Sequence, residues 1–422
     1  MYILKSFIDE FYDILINQVP KDDETLVKMH TRYLEELGDV SFPIPLKNWY
    51  HLVKRQIKDP SETIFEYRLN KKDVNEALET IVNHFNEVSN VKIKSYKVIK
   101  SCAHLFIQRP YLISLGIKQV LEQGNNYPEW TQFSKQITLA SREILENEEN
   151  LDITTLRLQI LKNVLTNLLS LTTDPNASEI IEIEITETHK ANSNRSTILC
   201  GPVISENGSK NTESKASDFF KKRVSDMQMM AQHKYRMNIK SSTEYHDFFS
   251  KLGRASVTIE LLTNKPHKPV KVSLNDLSGA NKGSAFIFYN CARLNILLKE
   301  FDSKVKKNVY PMLVDLNNID FSLLSQPEEW ELLYVYIVQY PFTIRNCIRT
   351  IEKGIVNTQN LITYLSGLSS VFSVYYRRVR ILTDARDHMI PVIHSRIYLL
   401  KALQVVFHNA LQILNIEPIT EM

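Results

Sequence analysis

The sequence predicts a multidomain chain of mixed α+β and α/β character that closes with an all-α bundle, and three observations predict it. At 422 residues with 43% hydrophobic content, the chain has the length for two or three domains, each with a buried core. The stretch "EIIEIEITE" (179–187) alternates strictly over Ile181, Ile183 and Ile185, the pattern of a half-exposed strand. From Leu277 onward the apolar spacing is helical, with breaks near Pro311, Pro327, Pro341 and Asp384 to Asp387.

Taken in order, residues 1–125 predict a small α+β domain. In "MYILKSFIDEFYDILINQ" the acids Asp9, Glu10 and Asp13 fall at helical spacing, which spoils the apolar centre of a secretion signal and suits an amphipathic first helix. "VKIKSYKVIK" (91–100) predicts a strand pair. Residues 126–276 form the second region. Its first part, Tyr127 to about Asp174, predicts a helical zone, clearest in "TTLRLQILKNVLTNLLSL" (154–171), where Leu158, Leu161, Leu165, Leu168 and Leu169 share a face. The polar stretch 188–217, interrupted by "TILCGPV" (197–203), predicts flexible loops around one short strand. Val257 to Leu262 predicts another strand, and "TNKPHKPVK" a boundary. Residues 277–422 predict the all-α domain.

Composition excludes several function classes. The net charge is +3, so a nucleic-acid surface must come from local clustering of Lys and Arg. Cys102, Cys200, Cys291 and Cys347 stand dozens of residues apart with no zinc-ligand spacing, which predicts four reduced thiols and a cytoplasmic chain, with the nucleus as a second compartment. Ten glycines include no nucleotide-binding turn. Nor is there an H-E-x-x-H or G-x-S-x-G motif, and the eleven histidines are scattered. The longest uncharged run, Ile355 to Tyr376, carries nine Asn, Thr, Gln or Ser residues, so no membrane span is expected.

One constellation does carry chemistry. Leu361, Leu365, Leu368, Phe372, Tyr375, Val379 and Leu382 advance in steps of four and three, the seam of a helix packed lengthwise on a partner. Tyr376, Arg377, Arg378 and Arg380 project from its other sides, and between Val371 and Lys401 six Lys or Arg face two Asp. A second basic run, "SKVKK" (303–307), holds Lys304, Lys306 and Lys307. Cations beside exposed rings suit single-stranded RNA, because the cations neutralise phosphate and the rings accept unstacked bases. The plain alternative is a solvated helix end. Arg293, set in the apolar "FIFYNCARL" (286–294), is read first as a packing residue tied to a carboxylate or a helix terminus, and second as an RNA contact.

The segments "FIFYNCARL", "QPEEWELLYVYIVQYP" (326–341), "NLITYLSGLSSVFSVYYRRVRIL" (360–382) and "SRIYLLKALQVVFHNALQILNIEPITEM" (395–422) resemble, in order and spacing, the DALR anticodon-binding domain that closes arginyl-tRNA synthetases. The likeness takes in Ala292-Arg293, Glu328-Glu329, Phe372 with Tyr376, Arg396 and the terminal Met422, and Asn415 stands where that family usually has glycine. Upstream, "ITTLRLQILKNVL" (153–165) resembles the helix after the synthetase ATP signature, but "ENEENLD" (146–152) replaces H-x-G-H and "KPVKVSLNDL" (268–277) stands in place of K-M-S-K. The resemblance therefore implies a degenerate class I synthetase-like body, residues 126–276 being a Rossmann-like catalytic remnant, followed by a DALR bundle. "YNCARL", "FSLL" and "YYRRVRIL" are most similar to the DALR anticodon-binding domain-containing protein 3 family. That family implies a non-catalytic adaptor, needing no cofactor, that recognises arginine tRNAs by the anticodon arm. Its partner is an S-adenosylmethionine-dependent methyltransferase forming 3-methylcytidine at position 32 of the anticodon loop. The expected contacts are Tyr376, Arg377, Arg378, Arg380, Arg396 and Lys401, then Arg293, Lys304, Lys306 and Lys307. The rivals are a residual synthetase-like enzyme and a structural subunit of a tRNA-processing assembly.

Overall fold

The computed structural model describes residues 2–20, 25–54, 59, 61–128, 133, 135–142, 147–172, 177–188, 196–212, 214–235, 243–274 and 279–420. In chain order the helices are α1 (Ile3–Ile16), α2 (Leu34–Leu37), α3 (Tyr50–Val53), α4 (Ile64–Leu69), α5 (Val74–Val88), α6 (Arg109–Gln123), α7 (Ile153–Ser170), α8 (Ala216–Tyr235), α9 (Thr243–Leu261), α10 (Gly279–Lys306), α11 (Pro327–Glu331), α12 (Tyr340–Ile348), α13 (Gln359–Arg378) and α14 (Ile390–Ile413). The strands are β1 (Lys28–Met29), β2 (Val40–Pro43), β3 (Ile93–Ile99), β4 (Cys102–Ile107), β5 (Gln136–Ser141), β6 (Ile180–Thr186), β7 (Thr197–Leu199), β8 (Val203–Ile204) and β9 (Val270–Lys271). Contacts group the chain into two compact units. One comprises Met1–Gln119, Leu313–Gln339 and Asp387–Leu399; the other comprises Val120–Met312, Tyr340–Arg386 and Leu400–Met422.

The first unit is built on an antiparallel sheet of order β1-β2-β4-β3. "VKIKSYKVIK" supplies one strand, β3, whose partner β4 follows a turn at Lys100 and Ser101; the expected pair therefore lies one strand further along the chain. Lys100 takes a left-handed conformation, φ 57°, to make that turn. Helix α1 forms because Leu4, Phe7, Ile8, Phe11 and Leu15 fall on one stripe and are all buried. It ends where Asn17 goes left-handed. The stripe meets Phe42 of β2 and Phe85 of α5 at ring-centroid distances of 5.0 Å, Phe11 on the former and Phe7 on the latter. The downstream segment joins the same core: Trp330 Nε1 donates to Asp39 Oδ1 at 2.9 Å and the Tyr334 hydroxyl donates to the Asp39 carbonyl at 2.6 Å. Burial lifts the Asp39 carboxyl to about 6, against the opposing pull of its bonds from the Ile107 amide and Trp330.

The second unit contains a parallel sheet of order β5-β6-β7. β5 lies inside the zone expected to be helical throughout. "QITLAS" carries only a weak alternation, and its strand character comes from pairing with β6, Gln136 opposite Ile180 through Ser141 opposite Ile185. Ile183 and Ile185 are buried as their alternation requires. "TILCGPV" yields two strands rather than one: β7 joins this sheet and β8 pairs with β9. Of the polar stretch 188–217, residues 189–195 and 213 lie outside the described residues.

α7 runs as predicted, capped by Asp152, whose side chain accepts from the Thr154 and Thr155 amides. Val257 to Leu262 is a correction: it closes α9 and is not a strand. Its β-branched residues favour a strand locally, yet they sit in a helix packed closely on α8, where a Cβ at Gly253 would meet Val224 Cγ2 at 2.5 Å. Pro327 opens α11 and Pro341 lies in the first turn of α12, positions that cost no helical hydrogen bond. α14 is the one helix among the described residues long and apolar enough to cross a bilayer, and 61% of its apolar window is buried inside the fold. The four cysteines are unbridged.

Candidate nucleic-acid interface

Leu361, Leu365, Leu368, Phe372 and Tyr375 of α13 are fully buried, so the seam is real. It is shorter than its spacing suggests: Arg378 is the last helical residue, Val379 is extended at φ −113°, ψ 119°, and Leu382 therefore lies off the helix. Stopping the helix there turns Val379 to Leu382 into a bend, and the bend, the helical Tyr376 to Arg378, and Leu297 and Glu300 of α10 wall an open depression of about 400 Å³. Tyr376, Arg377, Arg378 and Arg380 are all exposed in it, while Val379 is buried and pins the chain.

Arg293 packs as first expected, but on rings where a carboxylate or a helix terminus was expected. Its guanidinium lies over the Tyr289 ring at 4.3 Å and the Tyr376 ring at 4.5 Å, and it donates to the Tyr289 hydroxyl. Tyr289 is one turn before Arg293 on α10, so the guanidinium is anchored within its own helix while it lies over a ring of α13. Each stacked contact is worth roughly 0.5–2 kcal/mol, depending on desolvation. Arg293 is half-buried, and Tyr376 retains 40% exposure despite the guanidinium above it. Sequence reading missed Tyr289, although its i, i+4 spacing to Arg293 was the available signal.

The remaining candidates divide. Lys304 pairs with Glu300 at 3.1 Å and lies 5.4 Å from the Tyr310 ring centroid. Tyr310 in turn stacks on Phe301 at 5.8 Å and bonds the Thr383 carbonyl, tying the end of α10 to the chain that leaves the bend. Lys306 and Lys307 are exposed where α10 ends, and Lys401 is half-buried on α14. Arg396 is a correction. It is only 8% exposed, and its Nε donates to the fully buried carboxylate of Glu329 at 2.8 Å. The same Glu329 carboxylate accepts from the Gln326 amide at the start of α11. Arg396 therefore neutralises a buried helix-capping acid in the first unit and does not offer its charge to phosphate.

Exposed cations and an aromatic ring thus surround one open depression. The segment carrying it can be compared with known families. Residues 287–422 match the DALR anticodon binding domain.

The DALR domain thus occupies the last third of the chain, and the synthetase likeness extends beyond it. Over 235 residues the chain is 29% identical to DALR anticodon-binding domain-containing protein 3 of Danio rerio, covering 53% of this chain and 41% of that one. The Rattus norvegicus protein of the same name is 27% identical over 230 residues, 43% of its length. The chain therefore aligns with less than half of these relatives. The arginine–tRNA ligase of Saccharolobus solfataricus is 24% identical over 175 residues, 40% of this chain. In fold, the chain is similar to the arginyl-tRNA synthetase of Plasmodium falciparum, with a TM-score of 0.62 over 99% of this chain and 98% of that one at 10% identity. In fold the chain is synthetase-like, with a mixed α/β body, and its residues 287–422 match the DALR anticodon-binding domain.

Proposed function

We propose that this chain is a non-catalytic tRNA-binding adaptor. Its DALR domain grips the anticodon arm of arginine tRNAs and presents the anticodon loop to a partner S-adenosylmethionine-dependent methyltransferase that forms 3-methylcytidine. The observation that carries the reading is the exposed Tyr376, Arg377, Arg378 and Arg380 rim lying within the segment that matches the DALR domain. Arginines there neutralise phosphates as the chain approaches a hairpin loop, and Tyr376 offers a ring face to an unstacked base.

The physical logic of an adaptor follows from division of labour. A methyltransferase pocket that holds one flipped cytidine cannot read distant nucleotides, so a second surface tethered to the same RNA adds discrimination by added contact energy. The resemblance to DALR anticodon-binding domain-containing protein 3 supports this role over amino-acid activation. So does our reading that "ENEENLD" and "KPVKVSLNDL" stand where a synthetase carries its two signatures, an exchange that would remove the groups that stabilise an adenylation transition state.

Crosslinking in cells followed by sequencing of bound RNA tests the reading directly. Enrichment of arginine tRNAs, with crosslinks in the anticodon arm, is expected. Bulk RNA without tRNA preference would overturn it, and arginine-dependent ATP–pyrophosphate exchange by the purified chain would favour a working synthetase.

A further inference from the structure

We propose that the depression at the end of α13 reads one unpaired nucleobase, that the base is guanine, and that Glu300 is the residue that specifies it. The inference rests on the RNA-binding reading above and adds a base preference to it. Its basis is an incongruity: amid Arg377, Arg378 and Arg380, one carboxylate among the described residues lines the depression, Glu300 of α10. A surface that only gripped phosphate would lose affinity to that negative charge.

The geometry gives Glu300 something to do. Its side chain is 54% exposed, and Oε1 lies 3.1 Å from Lys304 Nζ one turn along the same helix. An exposed i, i+4 pair of this kind contributes only about 0.3–0.5 kcal/mol, so a ligand that offers better donors can compete for the carboxylate, and Oε2 faces no such partner in that pair. An ionised carboxylate accepts hydrogen bonds only. It therefore favours bases with N–H groups on an open edge and repels those that present carbonyls. Guanine offers N1–H and the N2 amino group side by side, which suits two carboxylate oxygens. Its opposite edge offers O6 and N7, the acceptors that arginine takes in pairs. Cytosine and adenine each present one amino group beside a ring-nitrogen acceptor, and uracil presents a single N–H flanked by two carbonyls. The order expected from the side chains is guanine first, cytosine and adenine next, uracil last. Tyr376, steadied by Arg293 on one side and still 40% exposed, supplies the stacking face that every base shares.

The test uses the full chain and a set of four RNA hairpins, identical except for one loop nucleotide, in a filter-binding titration at fixed salt. The guanine loop should bind roughly tenfold more tightly than the uracil loop, the span of one good bidentate contact. Glu300→Gln, which keeps shape and removes charge, should flatten that ratio to near unity. Equal affinity for all four loops in the unmodified chain overturns the inference while leaving RNA binding in place. A guanine preference that survives Glu300→Gln also overturns it. So does a uniform gain for all four loops in that variant, since Glu300 would then act only by repelling phosphate. Failure of every hairpin to bind would instead sink the RNA-binding reading itself.

Discussion

The interior beside α7 and the rim at the end of α13 both depend on arginine, and they use it in opposite ways. Arg157 is 1% exposed, with its guanidinium surrounded by the carbonyls of Leu261, Gly201 and Lys268 at 2.9, 2.6 and 2.8 Å. Nearby, Arg223 is enclosed by Glu260 and Asp226 at 2.7 and 2.9 Å. These cations are consumed in holding loops and helices of the body together. At the rim, Arg377, Arg378 and Arg380 stay exposed beside a ring. A count of basic residues treats the two regions alike. What separates them is whether the fold supplies enough acceptors to replace the water that burial removes.

The largest effect should come from the interior. Arg157→Met roughly keeps the volume and strips the donors from the buried Leu261 and Gly201 carbonyls and from that of Lys268, so thermal or denaturant unfolding of the variant should report a loss of about 3–5 kcal/mol. An unchanged midpoint would mean that the carbonyls find other partners and that the contrast between the regions is overstated.

A buried acid sharpens the same point. The Asp39 carboxyl titrates at about 6 in the folded chain because burial raises it. Between its ordinary value near 4 and that point, the folded state keeps a proton that the unfolded state has released. Stability should therefore fall as pH rises through that window, by up to about 3 kcal/mol, and stay lowered above it. Unfolding followed across pH should show this slope in the unmodified chain and not in Asp39→Asn; parallel profiles would refute it.

At the rim the signs reverse. Replacing Arg377, Arg378 and Arg380 together by Glu should lower stability by only about 1–2 kcal/mol, chiefly through the two charges reversed in the last turn of α13. Affinity for an arginine tRNA anticodon hairpin should fall by something of order a hundredfold, with a shallower dependence on salt. Unaltered affinity would move the RNA surface elsewhere. Tyr376→Ala is the mildest test: a loss of about 1 kcal/mol in hairpin binding is expected, similar at every salt concentration because stacking carries no counterion term.

The sequence made much of this legible, for a physical reason: the α13 seam, the β6 alternation and the basic bend are all local patterns whose period or density survives without knowledge of a partner. What escaped reading depended on partners far along the chain. β5 becomes a strand only beside β6, more than forty residues downstream. Val257 to Leu262 becomes helix only against α8. Arg396 looked like a contact because its acid, Glu329, lies 67 residues earlier. Both residues were visible as marks of the DALR pattern, and nothing in their spacing announced that they neutralise each other. Glu300 and Tyr289 escaped for the converse reason, being ordinary members of an amphipathic helix until α13 is laid beside them.

The clasp of Arg293 over Tyr376 carries a consequence for how the surface would engage RNA. A ring held by a guanidinium that is itself anchored to Tyr289 has lost much of its rotameric freedom before any ligand arrives, so docking a base forfeits less entropy than it would on a freely rotating side chain. Tyr289→Phe, which removes the hydroxyl anchoring Arg293 and leaves every rim side chain in place, should then loosen binding chiefly through faster dissociation.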